Sequence, residues 1–412
     1  MPSKHVDYWF DLSCPYAYLA TTQVASLAAR TGAEVRLKPM LLGGVFRAVS
    51  QPQNLAATLG AQKAKHMRDD LRRFAALWGV PLTFPKGHPH RTVTALRALL
   101  VTGEPYLPLA LAFYRAYWIE GIDLSTDEGV AQVLAREGHD AEEVLAETRT
   151  QAVKDALKAL TDEALEAGVF GAPAFVVDGQ LYWGQDRIEQ VERALGAVPT
   201  RTAPRGQPAP TDFWFDFSSP FAAIASAGVE SLFGDALRFR PMLLGAVFKA
   251  VGTENVPLAT FSPPKQAWAR SDMARQSAEA GLPLTWPSRF PMRTVLPLRV
   301  LLQIGPDTPA GRAFVHATFR AYWCDDRDIS DPAVVSAIAD GLALDGAQLV
   351  AGAGEQTAKD ALRAETEAAV AAGVFGAPTL VVHRPDGERS LFWGADRMPV
   401  AARAARGDEA LY

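Results

Sequence analysis

The chain carries Trp9-Phe-Asp-Leu-Ser-Cys-Pro-Tyr near its start and Trp214-Phe-Asp-Phe-Ser-Ser-Pro-Phe 205 residues later. A second stretch, Gly168-Val-Phe-Gly-Ala-Pro-Ala-Phe-Val-Val, returns at the same spacing as Gly373-Val-Phe-Gly-Ala-Pro-Thr-Leu-Val-Val. This spacing is the size of a domain and lies far above the about 20 to 50 residues of solenoid repeats. The sequence therefore predicts a duplicated domain in which each copy buries its own core.

The composition sets the class of protein. The chain is 49% hydrophobic and 21% charged, with a formal net charge of -5, which is typical of a globular protein. Because it has no basic tract to neutralise phosphates, we expect no nucleic-acid partner. No window approaches the ~20 apolar residues that span a bilayer, and the start of the chain lacks a secretory apolar stretch. We therefore expect no membrane partner and a cytoplasmic location.

Domain boundaries follow from a proline-rich segment. Residues 196–211 contain several prolines, which lack the amide donors that a helix or an inner strand needs. The sequence therefore predicts a first domain over residues 1–195, a linker over 196–211, and a second domain over 212–406.

Copy one begins with a strand–helix–strand pattern. An aromatic-rich strand is predicted over Val6–Leu12, a helix from the Cys14-Pro15 step to Thr31, and a strand over Ala33–Pro39. Apolar spacing then predicts a helical region with segments Lys63–Trp78, Arg91–Thr102, Pro108–Ile119, Thr126–Arg136 and Val144–Ala167.

The spacing of apolar residues changes from helical to strand-like near the end of copy one. It predicts a strand over Ala172–Val177, a tight turn at Asp178-Gly179, a strand over Leu181–Trp183, and a helix capped by Asp186 that ends near Leu195. Copy two repeats this order with a longer hairpin from His383 to Arg389. The complete order predicts an α/β fold made of two tandem thioredoxin-like domains, each with an all-helical insertion.

Cys14 and Ser219 occupy the same position in the two copies, before a proline at the start of a helix. Free backbone N–H groups and the helix dipole favour a negative charge there, so we expect the Cys14 thiol to be biased toward thiolate. A small buried cysteine that only packs is the alternative. Since both copies place a small polar side chain at this point, we expect the position to be functional.

Two prolines begin a later strand in each copy. A trans proline at Ala172-Pro173 or Ala377-Pro378 would interrupt a central ladder, so a cis bond is predicted, with a trans proline on an edge strand as the alternative. A cis turn would leave the backbone of Ala172 facing outward beside the helix start, where it could pair with an extended, peptide-like ligand.

These segments resemble the thioredoxin-fold family that contains DsbA, kappa-class glutathione transferases and 2-hydroxychromene-2-carboxylate isomerases. The resemblance rests on Asp11-Leu-Ser-Cys-Pro-Tyr-Ala-Tyr-Leu-Ala, on Gly171-Ala-Pro, and on Trp183-Gly-Gln-Asp-Arg, which is similar to the family's Trp-Gly-Asn-Asp-Arg. It covers nearly all of both copies and is closest to the isomerase and kappa-class branch. Because the two copies are fused in one chain, we expect them to form an intramolecular pseudo-dimer.

The resemblance also implies roles at the helix starts and prolines. Ser219 matches the family's catalytic serine, which favours the thiolate of glutathione, and Cys14 replaces it in copy one. The residue before the proline, Ala172 or Ala377, would bind the glutathione backbone, with Pro173 and Pro378 shaping this contact.

A loop after the hairpin is the second implied binding segment. Trp183, Gln185 and Asp186 match the loop that receives the γ-glutamyl end of glutathione, and a helix start suits that carboxylate. Copy two retains Trp393 and Asp396 in this loop but has Ala395 in place of the amide, which puts its glutathione site in doubt.

For the substrate, the family's lysine matches Lys249, Arg47 takes its place in copy one, and His88 falls where the family has a substrate-facing aromatic. His88-Pro-His90 lacks a complete ligand set, so no metal is expected.

The implied function is that of a glutathione-dependent isomerase or transferase, in which glutathione or another low-molecular-weight thiol adds to a small aromatic or electrophilic substrate. Cys14-Pro-Tyr-Ala lacks the second cysteine of a dithiol motif, which excludes dithiol exchange within it. A monothiol thiol-disulfide oxidoreductase that uses Cys14 is the alternative. A non-enzymatic binding scaffold is the third hypothesis.

Overall fold

A computed structural model describes residues 4–199, 204–254 and 257–412. Residues 1–3 of the predicted first domain, 200–203 of the predicted linker and 255–256 of the predicted second domain lie outside the described residues.

Copy one has the predicted strands and helices in order, with one further helix, Leu42–Ala48, that was not predicted. Its bounds are β1 His5–Phe10, α1 Pro15–Thr21, α2 Val24–Thr31, β2 Glu34–Pro39, α3 Leu42–Ala48, α4 Ala61–Trp78, α5 Val93–Thr102, α6 Leu107–Trp118, α7 Asp127–Arg136, α8 Ala141–Glu147, α9 Gln151–Glu166, β3 Ala174–Val177, β4 Gln180–Trp183 and α10 Ile188–Ala194.

Copy two repeats the order. Its bounds are β5 Thr211–Phe215, α11 Pro220–Ser226, α12 Val229–Phe233, β6 Leu237–Pro241, α13 Leu244–Val251, α14 Pro263–Glu279, α15 Val295–Ile304, α16 Pro309–Trp323, α17 Pro332–Asp340, α18 Gly346–Gly352, α19 Gln356–Ala371, β7 Thr379–His383, β8 Arg389–Trp393 and α20 Met398–Ala404.

Each copy forms a mixed sheet, with strand order β2-β1-β3-β4 in copy one and β6-β5-β7-β8 in copy two. β1 runs parallel to β2 and antiparallel to β3, so that Tyr8 lies opposite Leu37 on one side and Phe175 on the other. In copy two, Phe213 takes the place of Tyr8. The predicted α/β order of strand–helix–strand, helical insertion and strand–strand–helix is confirmed.

The core of copy one attaches the first helix to the central strand. The Tyr8 ring stacks on Phe175 with centroids 4.8 Å apart, and the Tyr8 hydroxyl donates to the carbonyl of Ala17 in α1 at 2.9 Å. Tyr18, also in α1, packs against Tyr114 of α6. Burial of these large rings stabilises the fold and places the start of α1 at the end of β1.

Two predicted helices are interrupted at threonines. The helix predicted from Cys14-Pro15 to Thr31 is two helices, with a turn at Thr22, whose hydroxyl donates to the carbonyl of Leu19. Copy two breaks at the matching Ala227 and Gly228. The helix predicted over Val144–Ala167 is also two, and Thr150 caps the second by accepting from the N–H of Val153. Copy two has both breaks at the matching positions without a threonine, and the apolar period of the sequence does not mark them.

The ends of the hairpin differ slightly from expectation. Asp178 and Gly179 form the predicted tight turn with φ of 47° and 74°, and β3 begins two residues later than predicted. The prediction that Asp186 caps the last helix is wrong. Asp186 lies inside a 3₁₀ turn, and the residue directly before α10 is Arg187. Copy two closes its longer hairpin with a hydrogen bond from Arg384 N to Glu388 O at 2.9 Å.

The described chain divides into two compact units. Unit 1 comprises residues 1–59, 71–202 and 262–268, and unit 2 comprises residues 60–70, 203–261 and 269–412. Each unit contains one of the two sheets. In the part of the chain that the structure describes, no helix is both long and apolar enough to cross a membrane.

Candidate active sites

Cys14 lies directly before α1 in unit 1. Its backbone N–H donates to the Asp11 carbonyl at 3.1 Å, and its Sγ donates to the carbonyl oxygen of Ala172 at 3.2 Å. The side chain makes no capping bond to α1, and the residue is only 7% exposed. We call Cys14, Ala172 and the loop 183–186 site 1.

The Cys14 thiol is held in its neutral form. Burial raises the pKa of Cys14 to about 12; the backbone N–H of Ala17 opposes this rise, and the charge of Asp11 adds to it. The expectation that the helix start favours a thiolate is therefore wrong for this residue, because loss of water around the sulfur outweighs the dipole and the amides.

Ser219 lies at the matching position in unit 2, directly before α11. Its hydroxyl donates to the carbonyl of Ala377 at 3.0 Å and accepts from the N–H of Ala222 at 3.2 Å, and the residue is buried. We call Ser219, Ala377 and the loop 393–396 site 2. Both side chains donate to the carbonyl before the proline, but only Ser219 also caps its helix, and a hydroxyl is a stronger donor than a thiol.

The proline segments connect these helix starts to the loops. The Ala172–Pro173 and Ala377–Pro378 peptide bonds are cis. The Pro173 carbonyl accepts from Gly184 N at 2.9 Å, and the Pro378 carbonyl accepts from Gly394 N at 3.0 Å. In each unit the segment beside the helix start is thus bonded directly to the Trp-Gly loop.

The loop of site 1 contains buried donors that have no acceptor. Trp183 Nε1 and Gln185 Nε2 are buried and lack a hydrogen-bond partner among the described residues. A Cβ on Gly171 would lie 2.7 Å from Trp183 Nε1, so glycine lets the indole approach the backbone here. Buried donors that are left unpaired are costly, and a ligand with carboxylate or carbonyl oxygens would satisfy them.

The loop of site 2 differs in its polar groups. Ala395 provides no amide where Gln185 stands in site 1. Asp396 forms an ion pair with Arg397 at 3.3 Å, as Asp186 does with Arg187 at 3.0 Å in site 1. The acidic residue of the loop is therefore present in both sites, and the side-chain amide in one.

Lysines beside both loops were missed by sequence reasoning. Lys265, in the part of α14 that belongs to unit 1, lies 5.2 Å from the Trp183 ring centroid. Lys63, in the part of α4 that belongs to unit 2, lies 5.1 Å from the Trp393 ring centroid, and burial lowers the pKa of Lys63. The matching register of the two lysines was visible in the sequence, but nothing local connected them to these loops.

Asp11 was also missed, and it joins three segments at site 1. Its Oδ1 accepts from Ser13 N and Ser13 Oγ, both at 2.8 Å. Oδ1 also accepts from Thr92 Oγ1 at 2.8 Å, and Oδ2 accepts from Leu42 N at 2.8 Å. This buried carboxylate holds the turn that presents Cys14 against the starts of α3 and α5.

Asp216 repeats the arrangement in unit 2. Its Oδ1 accepts from Ser218 N at 2.9 Å, its Oδ2 accepts from Leu244 N at 2.8 Å, and its carbonyl accepts from Ser219 N at 3.0 Å. Burial raises the pKa of Asp216, and these amides oppose that rise. The repeated Asp-x-Ser spacing was the available signal, but its partners are distant in sequence.

The predicted substrate residues are not brought into one place. Arg47 is exposed and lines a cavity of ≈ 340 Å³ in unit 1, whereas His88 is not among the residues that line it. Lys249 is exposed on α13 of unit 2. Among the described residues, no group of three histidine, cysteine or acidic side chains is placed to hold a metal ion.

His88 packs in an aromatic cluster. Its ring centroid lies 4.9 Å from Trp118 and 5.7 Å from Phe84, and its Nδ1 shares a hydrogen bond of 2.9 Å with the Tyr117 hydroxyl. Burial lowers the pKa of His88 to about 4, and His90 adds to this effect. The imidazole is therefore neutral at neutral pH.

We expect the H88F variant to lose a pH dependence of stability. The pKa of His88 falls from 6.5 to about 4 on folding, so between these pH values the unfolded chain binds a proton more readily than the folded chain. The free energy of unfolding is therefore highest above pH 6.5 and decreases as the pH falls toward 4. Phenylalanine is the residue that copy two has here, at Phe290, so it should fit. Thermal unfolding across this range measures the effect. Identical pH profiles for the variant and the wild type would contradict it.

Comparisons with known proteins agree with this duplicated geometry. Residues 5–196 and 211–405 each match the DSBA-like thioredoxin domain family. The chain is 31% identical over 196 residues to a 2-hydroxychromene-2-carboxylate isomerase of Sphingobium xenophagum, covering 47% of this chain and 98% of that protein. It is 30% identical over 213 residues to glutathione S-transferase kappa 2 of Caenorhabditis elegans, covering 46% of this chain and 92% of that protein.

A solved structure of 2-hydroxychromene-2-carboxylate isomerase aligns with 26% identity and a TM-score of 0.41, covering 47% of this chain and 94% of that one. The family match extends over both copies, and each curated relative corresponds to about half of the chain. The chain therefore belongs to the DSBA-like thioredoxin family as a tandem duplication, in the branch of the 2-hydroxychromene-2-carboxylate isomerases and kappa-class glutathione transferases.

Proposed function

We propose that this protein is a glutathione-dependent isomerase or transferase that acts on a small, electrophilic aromatic carboxylate. The observation that carries the proposal is the Ser219 hydroxyl, which lies at the start of α11 within 3.0 Å of the Ala377 carbonyl. The relatives named 2-hydroxychromene-2-carboxylate isomerase and glutathione S-transferase kappa support the reaction class.

Site 1 has groups that fit glutathione. Trp183 Nε1 and Gln185 Nε2 are buried donors without an acceptor, which suits a carboxylate or amide carbonyl of the tripeptide. Lys265 adds a positive charge beside the same loop. We propose that Asp186 and the backbone of Ala172 complete this site, and that Asp396 and Ala377 take the same roles in site 2.

Bound glutathione would supply a sulfur nucleophile that adds reversibly to an electrophilic double bond. Ser219 is placed to direct this chemistry, because the N–H of Ala222 fixes its oxygen. Its proton then turns from the Ala377 carbonyl toward a sulfur at the helix start. A hydrogen bond to a charged acceptor is worth about 1.5 to 3 kcal/mol, so this donor favours the ionised thiol.

Each site has one group that favours glutathione chemistry and that the other site lacks. Site 1 has the loop amide of Gln185, and site 2 has the stronger donor, Ser219. Cys14 would act in site 1 as a weaker, neutral donor in the place of serine. The domains at 1–195 and 212–406, their pairing as a pseudo-dimer and the cytoplasmic location remain predictions.

Calorimetric titration of the full chain with glutathione tests the proposal. Titrations in buffers of different ionisation enthalpy count the protons that are released. We expect glutathione to bind with release of a proton at neutral pH, and S-methylglutathione to bind without it. Absence of heat from either ligand, or identical proton release with both, would refute the proposal.

The alternative function is a monothiol oxidoreductase that uses Cys14. Its buried, neutral thiol argues against this, because the thiolate is the reactive form. Because burial raises the pKa of Cys14, the thiol stays protonated at pH 8.

We therefore expect iodoacetamide at pH 8 to label Cys324, which is partly exposed, well before Cys14. Mass spectrometry of peptides from the folded chain measures both rates, and unfolded protein gives the reference in which the two cysteines react alike. Rapid labelling of Cys14, or a mixed disulfide between Cys14 and glutathione disulfide, would favour the oxidoreductase.

A further inference from the structure

The loop of site 2 begins at the edge of its sheet. β8 is the last strand in the order β6-β5-β7-β8, so alternate N–H groups of β8 point away from β7. Gly394 N donates to the Pro378 carbonyl, whereas Trp393 N donates to a side chain outside the sheet, Nε2 of His66, at 3.1 Å. One backbone donor of the loop therefore depends on a residue that is distant in the sequence.

The His66 ring is held in place to accept this bond. The residue is 8% exposed, and its ring meets those of Phe375 and Trp393 edge-on, with centroids 5.7 Å and 6.2 Å apart. Because the Trp393 amide is a donor, Nε2 of His66 is the ring nitrogen without a proton. The packing against two aromatic rings fixes the direction in which this nitrogen accepts.

His66 belongs to a segment that comes from the sequence of copy one. Residues 60–70 precede the linker in the sequence, but they are part of unit 2. Asp70 of this segment accepts two hydrogen bonds from Arg397, at 2.7 Å and 2.9 Å, and Arg397 forms the ion pair with Asp396. The first half of α4 therefore contacts the start of the loop through His66 and its acidic residue through Arg397.

Site 1 lacks this acceptor. Trp268 has the place of His66 in copy two, and its ring lies 5.1 Å from Trp183 and 5.7 Å from Phe170. An indole nitrogen only donates, and Trp268 Nε1 is buried without a hydrogen-bond partner among the described residues. Trp268 packs against the loop of site 1 but cannot accept a backbone N–H, so the bond is a property of site 2.

We propose that His66 is a positioning residue of site 2, which fixes the backbone of Trp393 and with it the loop 393–396. Site 2 is then completed by a residue from the sequence of copy one. The role of this loop in binding glutathione rests on the proposed function, whereas the contact between His66 and Trp393 does not depend on it. His66 was not among the residues expected at either site.

Hydrogen–deuterium exchange of the full chain, read by mass spectrometry of peptides from the two loops, tests the inference. H66F keeps a ring against Phe375 but removes the acceptor, and H66Q returns an acceptor near the position of Nε2. We expect the Trp393 N–H to exchange about tenfold faster in H66F than in the wild type, and H66Q to restore most of the protection. Exchange in the loop 183–186 should be the same in all three proteins.

The matched control is K65A, since Lys65 is an exposed neighbour of His66 on the same helix. It should leave exchange at Trp393 unchanged, and thermal unfolding confirms that the variants remain folded. Equal exchange at Trp393 in H66F and the wild type, or equally fast exchange in H66F and H66Q, would overturn the inference.

The same measurement with glutathione separates this inference from the proposed function. In the wild type, glutathione should slow exchange in both loops. In H66F, the loop of site 2 should need about tenfold more glutathione for equal protection, and the loop of site 1 should need no more. Protection of the site 1 loop alone in the wild type, or an unchanged requirement at site 2 in H66F, would contradict the positioning role. Protection of neither loop in the wild type would reject the proposed function, and exchange without glutathione would still decide whether His66 holds Trp393.

Discussion

The S219A variant is expected to lower kcat/KM of the thiol-dependent reaction at site 2 by about 10- to 100-fold. Alanine removes the hydroxyl that would donate to the ionised sulfur, and a hydrogen bond to a charged acceptor is worth about 1.5 to 3 kcal/mol. The pKa of bound glutathione should rise by about one to two pH units, which ultraviolet absorbance of the thiolate measures across pH.

Capping must be separated from this effect. The Ser219 hydroxyl accepts from Ala222 N, so its loss also costs about 1 kcal/mol of stability. S219C is the control, because copy one already has an uncapped cysteine at this position. Both variants should fold, with S219C retaining part of the activity through its weaker donor.

Copy one offers the reciprocal test. C14S should retain or raise activity, since a serine there would face the Ala172 carbonyl as Ser219 faces that of Ala377. An unchanged S219A together with an inactive C14S would contradict the isomerase mechanism and favour thiol chemistry at Cys14.

The D11A variant is expected to lose about 3 kcal/mol of folding free energy or more. It would leave the buried hydroxyl of Thr92 and the part-buried amides of Ser13 and Leu42 without their acceptor, and a buried donor that loses its acceptor costs about 1 to 3 kcal/mol. D216A should behave in the same way in unit 2, because Ser218 and Leu244 depend on that carboxylate. Urea unfolding followed by tryptophan fluorescence measures the loss.

Two further variants serve as controls for D11A. D11N keeps one acceptor oxygen and should lose less stability than D11A. D162A removes a half-exposed carboxylate paired with Lys158 and should change stability by less than about 0.5 kcal/mol. A D11A variant that unfolds at the same urea concentration as D162A would show that Asp11 does not hold the turn.

Local patterns in the sequence determined the duplication, the order of strands and helices, and the family. Backbone preference and side-chain period are local properties, so the Asp178-Gly179 turn and both strand–helix–strand units were predictable. The helix breaks at Thr22 and Thr148–Thr150 were not, because the apolar period continues across both points and does not mark where one helix ends and the next begins.

Tertiary structure alone decided the chemistry of the sites. Whether Cys14 ionises depends on how much water remains around its sulfur, and that is set by residues distant in the chain, including Ala172. The same is true of the lysines beside Trp183 and Trp393 and of the hydrogen bond between His66 and Trp393. Desolvation and charge placement arise from packing between segments far apart in sequence, and a linear pattern carries no measure of either.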